Sequence, residues 1–307
     1  MNIVFLGTPE ISKICLEKLY HSKHNVLAVF TQPDKPSGRG NKLKESEVKV
    51  FAREAGIPVF QYENVSKDGL ETLKNFKPDA LVLVAFGQIL SEQVLSVALP
   101  LNLHGSLLPK YRGASPIQTA ILNGETVTGA TVMKMEKGLD SGEILLQKQI
   151  PILPSDNSLT LFNKMGEVGG DLLIEALNLV ESGNAKFTPQ DHSKATFTQK
   201  LTKENAIIDF SDTAHNIVNK IRAYNPNPVA YFMLNDKKIK VFSAEVVELN
   251  KIAKPGEIIS ADAKNGLVIA TQNGGVKILS LQSPNGKVMQ AKDFLNGFKI
   301  NLGVVVN

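Results

Sequence analysis

An asparagine and a histidine lie two residues apart at the end of an apolar stretch, and their functional groups suit acyl transfer. Side chains alternate between the faces of a β-strand, so Asn102 and His104 share one face and the leucines beside them share the other. An amide N–H beside an imidazole can hold a carbonyl oxygen and stabilise negative charge that develops on it. For this pair alone, a second interpretation stays open: a hydrogen-bonded pair that closes the strand end.

A third polar residue follows in a glycine-flanked turn. Asp140 lies between Gly138 and Gly142, and glycine permits backbone conformations that other residues rarely adopt. Such a turn allows a carboxylate from a later part of the chain to approach the histidine, orient it and accept a proton from an amine. An aspartate in this setting is also a common turn residue, and spacing alone does not separate the two roles.

The elements that must position these residues alternate between strand and helix. Apolar stretches typical of buried strands are separated by helical patterns, and they are residues 2–6, 26–30, 59–60 and 80–86. Strands buried on both faces and joined by helices are typical of a mostly parallel sheet with helices on both sides. The sequence therefore predicts an α/β, Rossmann-like domain. The strand that ends at His104 should place the polar pair at the carboxyl edge, where open α/β folds bind ligands.

Several classes of function lack their signatures. No G-x-G-x-x-G follows a predicted strand and no phosphate-binding loop motif occurs, which argues against a nicotinamide enzyme and a nucleotide hydrolase. The single cysteine, Cys15, excludes an internal disulfide and a cysteine-rich zinc site, and we expect no metal. No stretch approaches the roughly 18 apolar residues of a membrane span, and the first residues lack the basic region of a signal peptide. We therefore expect a cytoplasmic protein with no membrane partner.

The predicted secondary-structure pattern changes near residue 190. A long helical pattern over residues 159–180 is followed by a polar, aperiodic stretch, and short strand patterns then recur about every ten residues. We predict a catalytic domain over 1–189, a linker over 190–205 and a small antiparallel barrel or sandwich over 206–307. Residues 204–307 hold 12 lysines and arginines against nine aspartates and glutamates. This excess suits either a solvated surface or a domain that binds a polyanion.

Taken together, these motifs resemble the signature of the folate-dependent formyltransferases. Three stretches carry the resemblance: Leu101–Pro109, Tyr111–Gln118 and Gly138–Gly142. Four more extend it over nearly the whole chain: Phe5–Pro9, Gln32–Gly40, Ile221–Pro226 and Gln282–Gly297. These further stretches are similar to the members of the family that act on an aminoacylated tRNA.

The resemblance implies a fold, a reaction and a set of site residues. The fold would be a Rossmann-like catalytic domain followed by a C-terminal OB-like β-barrel. The reaction would move a formyl group from 10-formyltetrahydrofolate to the α-amino group of methionine on initiator tRNA, for translation initiation. The matching positions are Asn102, His104 and Asp140 for catalysis; Ser106, Leu107, Leu108 and Pro109 for the folate; and Arg39, Lys42 and Lys44 for the tRNA. We expect a monomer.

Two other interpretations fit the same motifs. One is a related formyltransferase that acts on a small amino sugar or nucleotide, and the other is a catalytically dead RNA-binding relative. The basic excess after residue 204 disfavours the first, and the presence of all three polar residues disfavours the second. The chain departs from the family pattern at five positions, none of them in the polar trio: Glu45, Glu47, Phe86, Asn227 and Val229.

Overall fold

A seven-stranded sheet forms the centre of the first of two structural units. The computed structural model describes residues 1–37, 42–250 and 252–306. The strands of this unit are β1 (Asn2–Gly7), β2 (Asn25–Thr31), β3 (Lys35–Ser37), β4 (Lys42–Lys44), β5 (Val59–Gln61), β6 (Ala80–Val84), β7 (Leu99–His104), β8 (Val127–Lys134) and β9 (Ile144–Pro151). All except β3 and β4, which pair with each other, lie in one sheet of order β5-β2-β1-β6-β7-β8-β9.

Five of the seven strands in this sheet run parallel. Strands β5, β2, β1, β6 and β7 run parallel, whereas β8 and β9 are antiparallel to their neighbours. Every side chain from Ile3 to Leu6 is fully buried, and so are those of Ala80, Leu81 and Val82. Strands covered on both faces in this way are typical of parallel sheets. The predicted α/β domain with a mostly parallel sheet is confirmed.

Helices connect these strands or follow them along the chain. They are α1 (Glu10–Tyr20), α2 (Glu47–Glu54), α3 (Leu70–Asn75), α4 (Glu92–Leu95), α5 (Pro116–Leu122) and α6 (Ser158–Glu181). All of α5 after its first residue and the first turn of α6 belong to the second unit. The departure at Phe86 is accommodated in the core, where its side chain is 4% exposed. Its carbonyl oxygen accepts hydrogen bonds from Thr8 Oγ1 and Gln32 Nε2, so this carbonyl joins the loops that follow three strands.

An antiparallel sheet forms the second unit. Its strands are β10 (Tyr231–Leu234), β11 (Lys237–Val247), β12 (Ile258–Asp262), β13 (Gly266–Ala270), β14 (Gly275–Gln282) and β15 (Met289–Gln290), and its helices include α7 (Ala214–Tyr224) and α8 (Ala291–Gly297). The order is β10-β11-β14-β13-β12, with β15 beside β14. Phe232 is fully buried and meets Phe210 edge to face, at 5.8 Å between ring centroids. The expected antiparallel, barrel-like C-terminal domain is confirmed.

The two units do not follow one another simply along the chain. The first contains residues 1–116, 127–151 and 162–198, and the second contains 117–126, 152–161 and 199–307. Residues 188–198, called the strap below, pair with the first unit through bridges from Thr188 to Ile144 and from Phe197 to Arg112. The boundaries predicted at residues 189 and 205 stay a prediction, and the division in the structure falls after residue 198.

Within the described ranges, no helix combines the length and apolar character needed to cross a lipid bilayer.

Candidate active site

Asn102 and His104 lie near the carboxyl end of β7, between β6 and β8. Asn102 is aligned with Leu83 on one side, and His104 is aligned with Thr131 on the other. His104 is 5% exposed, whereas Asn102 is half-buried. The Asn102 amide forms no hydrogen bond with any residue that the structure describes. This amide is therefore available to a bound molecule, and it shares a strand face with the imidazole.

Hydrogen bonding fixes the tautomer of His104. Its Nε2 atom lies 2.9 Å from the carbonyl oxygen of Tyr111. A carbonyl oxygen only accepts, so Nε2 carries the proton and donates it to this bond. Tyr111 has a φ of +61°, in the left-handed region, within the loop that presents this carbonyl. The Nδ1 atom is the nitrogen left for chemistry.

Asp140 approaches that nitrogen from the connection between β8 and β9. Its Oδ2 atom lies 3.6 Å from His104 Nδ1, slightly beyond hydrogen-bonding distance, and accepts a 2.7 Å hydrogen bond from the backbone N–H of Gly113. The turn depends on unusual backbone: φ is +127° at Gly138 and +47° at Asp140 itself. A Cβ atom at Gly142 would lie 1.9 Å from the carbonyl oxygen of Lys134, so only glycine fits there.

Opposing effects act on the protonation of His104, and the net result is a lowered pKa. Burial lowers the pKa of His104, while the Asp140 carboxylate acts in the opposite direction and the nearby Arg112 charge lowers it further. With His104 neutral, its Nδ1 lone pair and the carboxylate face each other as two acceptors. The neutral imidazole can accept a proton from an amine at Nδ1, with the Asp140 carboxylate 3.6 Å away to offset the positive charge.

A buried network behind the site joins it to the strap. Gln190 is 6% exposed, and its Oε1 atom accepts hydrogen bonds from Arg112 Nη2 at 2.7 Å and Nε at 3.2 Å. Its Nε2 atom donates to the carbonyl oxygens of Asp140 at 2.9 Å and Gly142 at 2.7 Å. Gln190 is not among the residues predicted from the sequence, because a lone glutamine in a polar, aperiodic stretch carries no signal of its own.

Residues of the predicted folate segment form hydrogen bonds with their own loop and with β8 and β9. Ser106 is fully buried and donates from Oγ to the carbonyl oxygen of Lys110. The N–H of Leu108 donates to Thr131 Oγ1, and its carbonyl accepts from Gln147 Nε2. The structure thus gives these residues a structural role near His104, and folate binding by 106–109 stays a prediction.

A cavity of about 400 Å³ borders Asp140 and is lined by none of those four residues. Its walls come from the loop after β6, from α4, and from the β8–β9 connection, and they are Gln88, Ile89, Leu90, Leu95, Met133, Met135 and residues 136–141. Ile89 is 96% exposed and Leu139 is 57% exposed. Large apolar side chains left in solvent at the rim of a cavity mark a binding surface. No sequence pattern indicates this cavity, because its walls come from the loop after β6, from α4, from β8 and from the β8–β9 connection.

Two of the predicted tRNA residues, Lys42 and Lys44, lie in β4, which pairs with β3. Lys44 Nζ forms a 2.6 Å ion pair with Glu47. Of Lys42 the structure describes only the backbone, in β4, and Arg39 lies outside the described residues. Glu45, the neighbouring departure, accepts from Arg53 at 2.8 Å and lies 3.3 Å from Lys49. Both acidic departures thus neutralise cations at the base of the hairpin.

No group of three or more histidine, cysteine, aspartate or glutamate side chains is arranged to hold a metal ion anywhere in residues 1–37, 42–250 and 252–306.

Two descriptions of known protein families match this chain, one over its first part and one over its last part. The family described as "Formyl transferase" matches residues 1–177, and "Formyl transferase, C-terminal domain" matches residues 200–299. The chain is 46% identical to the methionyl-tRNA formyltransferase of Kosmotoga olearia and 41% identical to that of a Sulfurihydrogenibium species, each over 99% of both chains.

Solved structures share the fold. One of them is an N-formyltransferase from Helicobacter canadensis in complex with folinic acid and dTDP-3-aminofucose, with a TM-score of 0.67 and 21% identity over 92% of this chain and 99% of that chain. At this identity the likeness concerns the fold alone.

Proposed function

The chain belongs to the formyl transferase family, and on that premise we propose that it formylates the α-amino group of methionine on initiator tRNA, with 10-formyltetrahydrofolate as donor. Relatives that match it from end to end at 41–46% identity are methionyl-tRNA formyltransferases. The observation that carries the proposal is the His104–Asp140 pair, 3.6 Å apart, beside the available amide of Asn102.

In the proposed reaction, the methionine amine attacks the formyl carbon, and a different group of the site accepts the proton that the amine loses. The neutral amine of methionine attacks the formyl carbon, a C–N bond forms, and the carbonyl oxygen becomes an oxyanion. Asn102 donates a hydrogen bond to that oxyanion. His104 Nδ1 accepts the proton that the amine loses, and Asp140 stabilises the resulting imidazolium. The proton then passes to the nitrogen of the departing tetrahydrofolate as its bond to the formyl carbon breaks.

This scheme assigns His104 a role different from the one its residue type suggested. The sequence led us to expect that His104 would hold the oxyanion with Asn102 while Asp140 took the proton. The bond from Nε2 to Tyr111 leaves Nδ1 as the reactive nitrogen, and Nδ1 faces a carboxylate. A lone pair in that position is suited to accept a proton. Asp140, already bonded to the N–H of Gly113, is suited to hold the charge that results.

The cavity beside Asp140 suits the donor. Its apolar walls, with Ile89 and Leu139 at the rim, would cover the faces of a flat heteroaromatic ring, and Asp140 would lie where the formyl group reacts. The basic excess of residues 204–307 would suit the phosphates of the acceptor. The monomeric state and the cytoplasmic location remain part of this proposal.

A direct assay tests the proposal against the small-acceptor alternative. The protein is incubated with 10-formyltetrahydrofolate and, in parallel, with charged initiator tRNA, charged elongator methionyl-tRNA and a nucleotide-linked amino sugar. We expect rapid transfer to the initiator tRNA, slow transfer to the elongator and none to the sugar. Transfer to the sugar alone would replace the proposed acceptor, and binding of tRNA without transfer to any acceptor would identify the dead relative.

A further inference from the structure

We propose that Gln190 is a positioning residue for formyl transfer, because its side-chain amide holds the Asp140 turn against His104. This inference rests on the proposed function. Gln190 touches no reacting atom: both of its polar atoms are already bonded to the protein, on one side to a buried guanidinium and on the other to two backbone carbonyls. It lies in the strap, a stretch whose sequence looks like a connection between domains.

The strap contacts both loops that define the environment of His104. On one side, Gln190 donates to the carbonyls of Asp140 and Gly142. On the other, Thr196 Oγ1 accepts from the N–H of Tyr111 at 2.8 Å, and the Thr196 carbonyl accepts from the N–H of Arg112 at 2.8 Å. One segment therefore fixes the carbonyl that sets the His104 tautomer and the carboxylate that faces Nδ1.

The Asp140 turn needs this support. Residues 138 and 140 both have positive φ values, and a non-glycine residue adopts this conformation uncommonly, although aspartate does so more readily than most. Asp140 is half-buried, so solvent alone does not set the direction of its carbonyl. The two bonds from Gln190 Nε2 bracket the turn, with one on each side of Ser141. Loss of these donors would remove the support of the turn backbone, and the bond from the Gly113 N–H would then have to hold the carboxylate near Nδ1 without it.

A charge-changing isostere separates this role from simple packing. Gln190→Glu keeps an acceptor for Arg112 but replaces the donating NH₂ with an oxygen that faces two carbonyl oxygens. We expect kcat to fall by about 30-fold or more, while KM for the folate and for the tRNA changes by less than about threefold. Gln190→Met removes both sets of bonds at similar volume and should lower kcat at least as much.

A matched control lies at the opposite edge of the same sheet. Asn25 Nδ2 donates to Asn2 Oδ1 at 3.0 Å, at the amino ends of β2 and β1, so Asn25→Asp also replaces an amide donor with a carboxylate oxygen that faces an oxygen. Its kcat should stay within about twofold of the parent protein. Far-UV circular dichroism and thermal unfolding of all variants establish that each is folded. An equal loss of kcat in Asn25→Asp and Gln190→Glu would overturn the positioning role.

A double variant and a spectroscopic signal complete the test. If Gln190 acts through Asp140, Gln190→Met should lower kcat by less than about threefold when Asp140 is already alanine. The same factor in both backgrounds would contradict the proposal. NMR of the His104 imidazole gives a readout without catalysis: the carboxylate raises the pKa of His104, so Gln190→Met should lower that pKa as Asp140 moves away. An unchanged titration in a folded variant would also overturn it.

The NMR titration separates the two levels of inference. A chain that formylates no tRNA would defeat the proposed function, yet a lowered His104 pKa in Gln190→Met would still establish that Gln190 positions Asp140. A chain that formylates tRNA with an unchanged His104 titration in Gln190→Met would keep the function and reject the positioning role.

Discussion

Polar contacts in two parts of the first unit differ in what surrounds them. At the reaction site, His104, Arg112 and Gln190 are all at most 6% exposed. At the base of the β3–β4 hairpin, the side chains of Lys44 and Arg53 are 64% and 59% exposed, and they pair with Glu47 and Glu45. Both regions are rich in charge or hydrogen bonds, but only the first excludes water.

That difference sets what each region is able to do. A hydrogen bond removed from a buried group leaves its partner unsatisfied, so the arrangement at His104 resists change. An exposed ion pair contributes only about 0–1 kcal/mol, so the hairpin's cations can exchange a carboxylate for a phosphate at little cost. The comparison teaches that buried contacts fix a geometry, as the proposed chemical step requires, whereas exposed ion pairs exchange partners easily, as the proposed capture of a charged substrate requires.

The largest effects should follow from substitution of the three site residues. Asn102→Ala, His104→Ala and Asp140→Ala should each lower kcat by about a hundredfold or more, the scale of losing an oxyanion donor or an acid–base group. Steady-state kinetics beside far-UV circular dichroism tests this. A folded Asn102→Ala protein with a rate within about threefold of the parent would remove Asn102 from the mechanism.

A smaller loss, confined to the tRNA, should follow from a change at Arg39, which lies outside the described residues. Arg39→Ala should lower kcat/KM for tRNA by about tenfold and leave the KM for the folate unchanged, because one guanidinium contact to phosphate or base is lost. Arg39→Lys should recover part of the loss, since an ammonium cannot form two parallel hydrogen bonds. Unchanged tRNA kinetics at physiological salt would show that Arg39 does not contact the tRNA.

The pH dependence of kcat should show that His104 is buried. His104 must be neutral to accept a proton, and burial lowers its pKa, so the acid limb of kcat should lie below the usual histidine value of about 6.5. Because the folded-state pKa is depressed, the contribution of His104 to stability is present above about pH 6.5 and is lost as the pH falls through the folded pKa.

Removal of the Asp140 carboxylate tests the direction in which that group shifts the pKa of His104. Asp140→Asn takes away the charge that raises the pKa of His104, so the residual activity of this variant should keep its acid limb at lower pH than the parent. Rate profiles between about pH 4.5 and 8 measure the shift. Movement of the limb to higher pH would contradict the assigned pairing.

The smallest effect belongs to the exposed ion pair. Glu47→Gln releases Lys44 from its carboxylate, so tRNA binding at low salt should strengthen by about two- to threefold, with a slightly steeper salt dependence. Filter binding over a salt series measures both. The control is Glu71→Gln, which makes the same change in the exposed Lys74–Glu71 pair at 2.7 Å. Equal strengthening in the two variants would show a general charge effect.

Much of the first unit could be predicted, because its signals are local. Continuous apolar stretches predicted the buried strands, and alternation along residues 101–104 placed Asn102 and His104 on one face. The glycines around Asp140 indicated a turn of unusual backbone, which the structure has. These inferences need only a few neighbouring residues and the steric rules that act on them.

The remaining features depend on contacts between distant stretches of backbone. Gln190 bonds to carbonyl groups 48 and 50 residues earlier in the chain, and every residue type has a carbonyl. The strap pairs with irregular loops, so it has no periodic pattern and looks like a linker. The tautomer of His104 depends on the carbonyl of Tyr111, whose φ of +61° is unusual for a bulky residue.

The units interleave along the chain, so neither can be exchanged between relatives as a single cassette. Residues 117–126 and 152–161 belong to the second unit, where Arg222 Nε donates to the carbonyl of Asp156 and Ser158 Oγ donates to that of Ala223. A fragment that ends at residue 189 would lose Gln190 and Thr196 from the site. It would also keep both inserted segments without the rest of the second unit. Recombination should therefore give active hybrids only when the two inserts and the region after residue 198 are inherited together.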